Sequence, residues 1–425
     1  MSSRRGTARD RRAARDRNAG RSRWATVAAL AVTETVSWGV LYYAFAVFQV
    51  PMEAELGWSR AELSGAFSLA LATSALAAFP VGRWLDRHSP RPLMTLGSLV
   101  GALLVLAWSR VDDLLSFYIL WAGIGLAMAC VLYEVAFTVV TKLFREHRRR
   151  ALTAVTLVGG FASFVFSPLS SWLIDAHGWR DALIVLAVVL AATTVPLHAL
   201  FVRSPRTRQD GMSAPAFPDP ESPATEANVA PGVAIASRAF WYLTGAFVLS
   251  SLAISAVAVH LIPYLVEGGR SASFAAFAAG LMGLMQVPGR AVFALATRFA
   301  PHRNEAPAVF LLQGVGLATL AATASAPAVL AGVSLFGMGN GMATLIRATA
   351  IADAYGSTSY GAISGVAAGC ATGARAVAPV AMAGAYAAVG GYGPLLWLLA
   401  GGAALAAASA QSANKLLTRR AENSE

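Results

Sequence analysis

The chain consists largely of long runs of apolar residues separated by short polar segments, with no sustained alternation of apolar and polar positions. Twelve of these runs approach or exceed the roughly 20 residues that a helix needs to cross a bilayer. They lie at 24–50, 61–81, 92–109, 114–140, 151–173, 181–202, 240–265, 272–297, 306–324, 328–351, 360–389 and 394–410. Because backbone polar groups in lipid must be satisfied internally, such runs form helices there. The pattern therefore predicts an all-α membrane protein with twelve transmembrane helices.

A proline-rich polar stretch after the sixth run divides the chain into two parts of six runs each. Between positions 203 and 238 it carries six prolines among Ser, Thr, Asp and Glu, which leaves too little apolar surface to fold alone. The predicted units are a basic tail at 1–23, a six-helix bundle at 24–203, a disordered linker at 204–237, a second six-helix bundle at 238–412 and a tail at 413–425.

The two halves resemble each other at positions about 211 to 214 residues apart. GIGLAMA at 123–129 is echoed by GMGNGMA at 337–343, and a Ser-Pro pair at 167–168 is echoed by an Ala-Pro pair at 378–379. Internal repeats arranged about a site near the bilayer midplane are typical of transporters. We therefore expect two pseudo-symmetric six-helix bundles.

Charge adds an orientation to this picture, because the chain carries a formal net charge of +11 although only 13% of its residues are charged. With the N-terminus placed in the cytoplasm, 26 of the 33 lysines and arginines fall in cytoplasmic tails and loops, four fall outside and three fall within helices. This is the positive-inside pattern. It predicts a protein of the cytoplasmic membrane with both termini in the cytoplasm, and it accounts for the basic charge without a nucleic-acid partner.

The loop after the second run, GRWLDRHSPR, carries glycine, aspartate and basic residues at fixed spacing. It resembles the loop signature of the major facilitator superfamily. The matching positions are Gly82, Asp86, Arg87 and Arg91. Ser89 stands where that family usually has glycine. The resemblance covers residues 24–410 and implies the major facilitator fold, in which this loop helps to set the balance between inward and outward states.

Among the ionisable side chains within predicted helices, five stand out, because a charge near the bilayer centre costs roughly 2.5–3.5 kcal/mol. They are Glu34, Glu134, Arg290, Arg347 and Arg375. Two glutamates against three arginines leave one positive charge, which favours an anionic ligand because a guanidinium binds a carboxylate bidentately. Glu134 and Arg347 occupy nearly equivalent repeat positions, so they either form a structural or gating pair or contact a ligand separately.

Four further segments are similar to bacterial relatives of the monocarboxylate transporters and oxalate–formate exchangers. These are YYAFAVF at 42–48, KLF at 142–144, GWRDAL at 178–183 and QVPGR at 286–290. The resemblance implies that Arg290 binds substrate from the eighth helix. It also makes Arg375 a second cation on the eleventh helix, where the exchangers have lysine. Tyr133 falls near the polar position of the fourth helix, and Tyr43 belongs to the matching segment of the first.

The chain departs from those families at two positions that concern coupling. Val47 stands in place of the lysine that monocarboxylate transporters have in the first helix, and Gln286 stands in place of an aspartate four residues before the arginine. The coupling chemistry of those families therefore does not transfer to this chain. Burial disfavours the charged form of a carboxyl, so Glu34 or Glu134 is the expected proton carrier.

The leading hypothesis is a secondary transporter that moves a small organic anion, a carboxylate, by proton coupling or by exchange. Efflux of drugs or metabolites is the alternative within transport, although the fifth run lacks the Gly-Pro pair usual in drug–proton antiporters. A membrane receptor without flux is the alternative from another class. No nucleophile or metal-ligand pattern predicts an enzyme, a cofactor or a metal site, and we expect a monomer in the lipid bilayer.

The sequence thus nominates three groups of residues. The candidate substrate contacts are Arg290, Arg375, Tyr133, Tyr43 and Gln286, the candidate proton carriers are Glu34 and Glu134, and the candidate gating residues are Gly82, Asp86, Arg87, Arg91 and Arg347.

Overall fold

The computed structural model describes residues 22–144, 147–202, 229–296, 305–323 and 325–422. Within these ranges, twelve helices are long and apolar enough to cross a membrane, which confirms the predicted fold class. They are α1 (Ser22–Leu56), α2 (Arg60–Arg87), α3 (Pro90–Trp108), α4 (Leu114–Leu143), α5 (Arg148–His177), α6 (Trp179–Phe201), α7 (Arg238–Glu267), α8 (Ser273–Phe293), α9 (Glu305–Ala322), α10 (Ala326–Tyr355), α11 (Tyr360–Val389) and α12 (Tyr392–Arg419).

The apolar core is arranged in three clusters. One lies wholly among α1–α6, with Trp108 and Trp121 at its centre, and one lies wholly among α7–α12, around Leu317 and Phe336. The third joins both halves and contains Phe137 of α4 beside the α10 residues that end at Tyr355. The halves are therefore separately packed bundles that share a core toward one end only, the end where α2 finishes. We call it the Asp86 end.

Several helices that face the centre of the bundle are interrupted near their middles. In α1 the segment Gly39–Tyr43 is a π-helical turn, and in α4 the backbone at Leu132 is extended, with φ −83° and ψ −176°. A turn at Gly160 interrupts α5. Irregular backbone at membrane depth is tolerated where protein or a water-filled cavity surrounds it. These breaks place the tyrosines of α1 and α4 at the centre of the molecule.

Backbone-to-backbone packing of α2 against α11 closes the Asp86 end. A Cβ on Gly82 would lie 1.9 Å from the carbonyl oxygen of Gly361, and a Cβ on Gly365 would lie 2.4 Å from that of Ala78. Only glycine permits such an approach, and small residues are the usual means of close helix packing in membranes. The contact weakens at Gly369, and a Cβ on Gly373 would meet nothing within 4 Å. The two helices therefore separate beyond Gly369.

The structure revises the predicted segments outside the helices. Part of the expected disordered linker at 204–237 is ordered, because Pro231–Ala236 forms a short helix and the backbone N–H of Val229 donates to the carbonyl of Tyr355. Helix α12 continues to Glu422 through most of the expected tail at 413–425. The basic tail at 1–23 lies outside the described residues up to position 21.

The charge asymmetry predicts that the Asp86 end faces the cytoplasm. In a background without Cys130 and Cys370, a cysteine at His147, exposed at the Asp86 end, should react with a membrane-impermeant maleimide only in inverted vesicles. A cysteine at Ala176, exposed at the opposite end, should react in intact cells. Labelling of both sites from the same side would refute the orientation.

Candidate functional site

A cavity of about 730 Å³ lies between the two halves. Helices α1, α2, α4 and α5 line one side of it, and α7, α8, α10 and α11 line the other. It begins at the middle of the molecule, beside Glu134 and Arg347, and extends along α2 to Ala61 and along α11 to Val380. Both of these residues lie toward the end opposite Asp86. The protein is therefore closed at the Asp86 end, with its central cavity extending toward the other.

The floor of the cavity is a polar junction between the halves. The guanidinium of Arg347 on α10 donates to Oε1 of Glu134 on α4, and the hydroxyl of Ser364 on α11 donates to Oε2 at 3.2 Å. The Arg347 side chain is 11% exposed and that of Glu134 is 28% exposed. Of the two roles that the sequence left open for these residues, the structure brings them together as a pair.

Arg290 of α8 also reaches across to the other half. Its Nη1 donates to the carbonyl oxygen of Thr156 on α5 at 2.7 Å, and the residue is 4% exposed. Its Nε has no hydrogen-bond partner in the described part of the chain. Among the described residues, the acceptor that Arg290 contacts is thus a neutral carbonyl, although its side chain lines the cavity.

Arg375 of α11 lines the same cavity. Within the described ranges, its guanidinium forms no ion pair, and its buried Nε has no hydrogen-bond partner. Its backbone carbonyl accepts from the hydroxyl of Ser255 at 2.8 Å, which ties α11 to α7 at this level. The cavity therefore contains two arginines that no described carboxylate neutralises.

Four aromatic rings of the first half form a continuous wall of the cavity. Trp38 lies 5.0 Å from Tyr42 and 5.2 Å from Tyr133, measured between ring centroids, and Tyr42 lies 5.1 Å from Tyr43. Tyr43 is close enough to both Arg290 and Arg375 to interact with them electrostatically. The wall and the two cations therefore belong to one compartment.

Glu34 differs from the other candidates because it does not line the cavity. It is completely buried, and neither carboxyl oxygen has a hydrogen-bond partner among the described residues. Trp38, one turn further along α1, lines the cavity, and Trp38 and Glu134 are both close enough to act electrostatically on the Glu34 carboxyl. A carboxyl with no partner and no water contact is a costly arrangement, which is typical of functional residues in membranes.

Asp86 joins the halves at their closed end. Its two carboxylate oxygens accept from the backbone N–H groups of Gly361 at 2.9 Å and Ala362 at 2.7 Å, and Lys142 pairs with it at 3.0 Å. The first N–H groups of a helix have no partner within that helix. A carboxylate of α2 thus caps α11 from the other half, while Arg87 and Arg91 are exposed nearby.

A second ionic junction lies at the same end. Arg149 at the start of α5 donates to Glu305 of α9 at 2.7 Å and to Asp353 of α10 at 2.9 Å, and Arg148 also pairs with Asp353. Sequence reasoning missed this junction because all four residues lie at helix ends, where charged side chains are usually solvated. The run of three arginines at 148–150 was the available signal.

The structure gathers most of the nominated residues into the cavity, where Tyr43, Tyr133, Gln286, Arg290 and Arg375 all contribute to its lining. Sequence reasoning missed Trp38, Tyr42 and Asn340, which line it as well. A tyrosine directly before Tyr43 and an asparagine inside an apolar run were visible signals. Gly160, which also lines the cavity, carried no signal beyond its pairing with Gly159.

Comparison with known proteins identifies the fold. The family profile of the Major Facilitator Superfamily matches residues 29–379, most of this chain. The chain belongs to the Major Facilitator Superfamily. It is therefore a multi-pass membrane protein of a family of transporters.

Individual relatives are distant. Monocarboxylate transporter 13 of Rattus norvegicus is 27% identical over 170 residues, which are 39% of this chain and 39% of that protein. The chain thus spans about two fifths of the length of the first curated relatives that it matches. FucP of E. coli, solved in the outward conformation, has a TM-score of 0.73 at 17% identity and covers 92% of this chain and 99% of its own. The human organic anion transporter MFSD10 has a TM-score of 0.69 at 15% identity, with the same coverage.

The capping contact of Asp86 predicts a conformational defect when its charge is removed. Asp86→Asn should insert and fold normally but lose one acceptor for α11 and the ion pair with Lys142. Loss of a cap costs about 0.5–2 kcal/mol. The population of the state that is closed at the Asp86 end should therefore fall about 2- to 30-fold relative to the state that is open there. Flux in proteoliposomes at matched protein amounts should fall, whereas Asp175→Asn, at an exposed position near the opposite end, should leave it unchanged. Normal flux in Asp86→Asn would contradict the gating role.

Proposed function

We propose that this protein is a secondary active transporter of a small organic anion, a carboxylate, which it moves across the cytoplasmic membrane by alternating access. The observation that supports this most directly is the pair of arginines, Arg290 and Arg375, that line the cavity without a carboxylate partner among the described residues. Transport is coupled to protons or to a counter-substrate, and the functional unit is a monomer.

The charge balance of the cavity favours an anion. Glu134 and Arg347 neutralise each other at the floor, so the remaining charges that line the cavity are the two arginines. A charge within a bilayer costs roughly 2.5–3.5 kcal/mol on insertion scales, and two such charges of the same sign also repel each other. A carboxylate that binds between them relieves both costs, and it matches the planar fork of a guanidinium.

The names of similar proteins agree with this substrate class. The relatives at 21–28% identity include several monocarboxylate transporters, and one protein of the same fold is an organic anion transporter. The aromatic wall formed by Trp38, Tyr42, Tyr43 and Tyr133 supplies the complementary surface, because an organic carboxylate has an apolar body beside its charged group.

Glu34 is the better of the two candidate proton carriers. Glu134 already accepts hydrogen bonds from Arg347 and Ser364, so it belongs to the junction between the halves. Glu34 is fully buried, and its carboxyl oxygens have no hydrogen-bond partner among the described residues. A change in the charge or water content of the neighbouring cavity would therefore act on its protonation.

The arginine site yields a binding prediction. Arg290→Ala and Arg375→Ala should each weaken binding of a carboxylate about 10- to 150-fold, because a charge-assisted hydrogen bond contributes roughly 1.5–3 kcal/mol. Arg290→Lys should also bind poorly, since an ammonium cannot reproduce the bidentate contact. The measurement is calorimetry in nanodiscs, with carboxylates first selected by a thermal-shift screen that also contains amines and drugs.

Arg83→Ala is the matched control for these variants, because Arg83 is an exposed arginine of α2 that does not line the cavity. It should bind like the wild type. Wild-type affinity in both cavity variants would reject the anion site and would favour efflux of a neutral or cationic compound. Binding with normal affinity but no flux in proteoliposomes would favour a receptor.

The buried carboxyl yields a prediction about coupling. Glu34→Gln keeps the shape of the side chain but cannot release a proton, so anion flux in proteoliposomes should lose most of its dependence on the imposed pH gradient. Exchange of labelled for unlabelled anion without a gradient should persist. Glu134→Gln is the informative comparison, because it leaves Arg347 without its carboxylate partner and should lower thermal stability instead. A normal pH response in Glu34→Gln would exclude it as the carrier.

A further inference from the structure

At the interruption of α5, the side chains of Arg290 and Tyr133 occupy the space that Cβ atoms on Gly160 and Gly159 would need. A Cβ on Gly160 would lie 1.9 Å from Nη1 of Arg290 and 3.1 Å from its Cζ, and a Cβ on Gly159 would lie 2.5 Å from the hydroxyl of Tyr133. The distances of 1.9 Å and 2.5 Å are shorter than real Cβ atoms show in contacts. The two glycines therefore leave a notch in α5, and the guanidinium of Arg290, which comes from the other half of the protein, occupies its Gly160 side.

The notch also determines what Arg290 binds. The carbonyl oxygen of Thr156 accepts from Nη1 of Arg290 at 2.7 Å and from the backbone N–H of Gly160 at 2.9 Å. The same Nη1 lies only 1.9 Å from the place that a Cβ of residue 160 would occupy. Any side chain at position 160 would therefore separate the guanidinium from α5.

We propose that Gly160 is a positioning residue that holds Arg290 on α5, so that this arginine both links the two halves and presents itself to the substrate. The link joins α8 to α5 next to the floor of the cavity, on the side of the molecule that is closed. Arg290 thus belongs to the set of contacts that hold the Asp86 end shut.

A second part of the inference rests on the proposed function. A carboxylate is a stronger acceptor for a guanidinium than a neutral carbonyl is, because both partners are then charged. A bound carboxylate therefore competes with the Thr156 carbonyl for Arg290. A ligand that displaces this contact stabilises the states in which the halves are less tightly joined at the Asp86 end, since it binds those states better.

The test of the positioning role needs no substrate. Spin labels are placed at Ala176 of α5 and Ala322 of α9, both exposed at the end opposite Asp86, in a background without Cys130 and Cys370. Their separation, measured by pulsed electron resonance in nanodiscs, distinguishes protein that is open at this end from protein that is closed there. Gly160→Ala should shift the ratio of short to long distances by about tenfold or more toward the short one, because it removes a charge-assisted hydrogen bond.

Two controls separate this effect from a general effect of alanine in a helix. Gly245→Ala on α7, where a Cβ meets nothing within 4 Å, should leave the ratio unchanged. Gly160→Ala should also have no further effect in proteins that carry Arg290→Gln or Arg290→Lys, since neither side chain places a guanidinium in the notch. Both Arg290→Gln and Arg290→Lys are used, so that the control can still be made if one of these proteins fails to fold.

The outcomes are distinct. An unchanged distance ratio in Gly160→Ala would overturn the positioning role. A further shift of equal size when Gly160→Ala is added to either Arg290 variant would overturn it as well. The anion arm then adds the carboxylate selected by the screen to the wild-type protein. A shift toward the short distance that is absent in Gly160→Ala supports the competition, and no shift refutes it. Failure of the anion arm alone would count against the competition, while failure of the ligand-free arm would leave the proposed transport function untouched.

Discussion

The backbones of α2 and α11 touch where Gly82 meets Gly361, and the position of the cavity depends on this contact. A Cβ on either residue would force the helices apart, and the carboxylate of Asp86 could then no longer reach the first N–H groups of α11. Because the two helices lie close together only as far as Gly369, the space between the halves opens from there toward the other end. The close contact between α2 and α11 stops partway along α11, and the protein is closed at the end where this contact is made.

Much of this arrangement is visible in the sequence. The twelve helices follow from the length of the apolar runs, because backbone polar groups in lipid must be satisfied within each segment. The family follows from the spacing of residues in the loop at 82–91, which is a local feature of the sequence. The four-residue glycine period in α11 predicts a close-packed face. It does not predict that the face ends at Gly369, since that depends on how α2 diverges, which is a property of two elements far apart in sequence.

The candidate site is only partly readable from sequence for the same reason. Buried charges stand out among apolar residues, so Arg290 and Arg375 could be nominated without a structure. Their partners could not be, because the acceptor of Arg290 is a backbone carbonyl, which every residue has. The pair of Glu134 with Arg347 was one of two open possibilities and was decided by the approach of α4 to α10. The burial of Glu34 away from the cavity surface depends on the rotation of α1 about its axis.

The two halves contribute differently to the hydrogen bonds between them, and this difference links ligand binding to the contact between the halves. Near the middle of the protein, the first half supplies acceptors, the Glu134 carboxylate and the Thr156 carbonyl, and the second half supplies the donors Arg347, Ser364 and Arg290. An anion is itself an acceptor. When it binds to a donor of the second half, it takes the place of an acceptor of the first, so occupancy of the cavity and attachment between the halves become alternatives. A cation would instead compete for the acceptors, of which only Glu134 is charged. On the proposed function, the contacts that close one end are therefore the contacts through which binding of a carboxylate would open it.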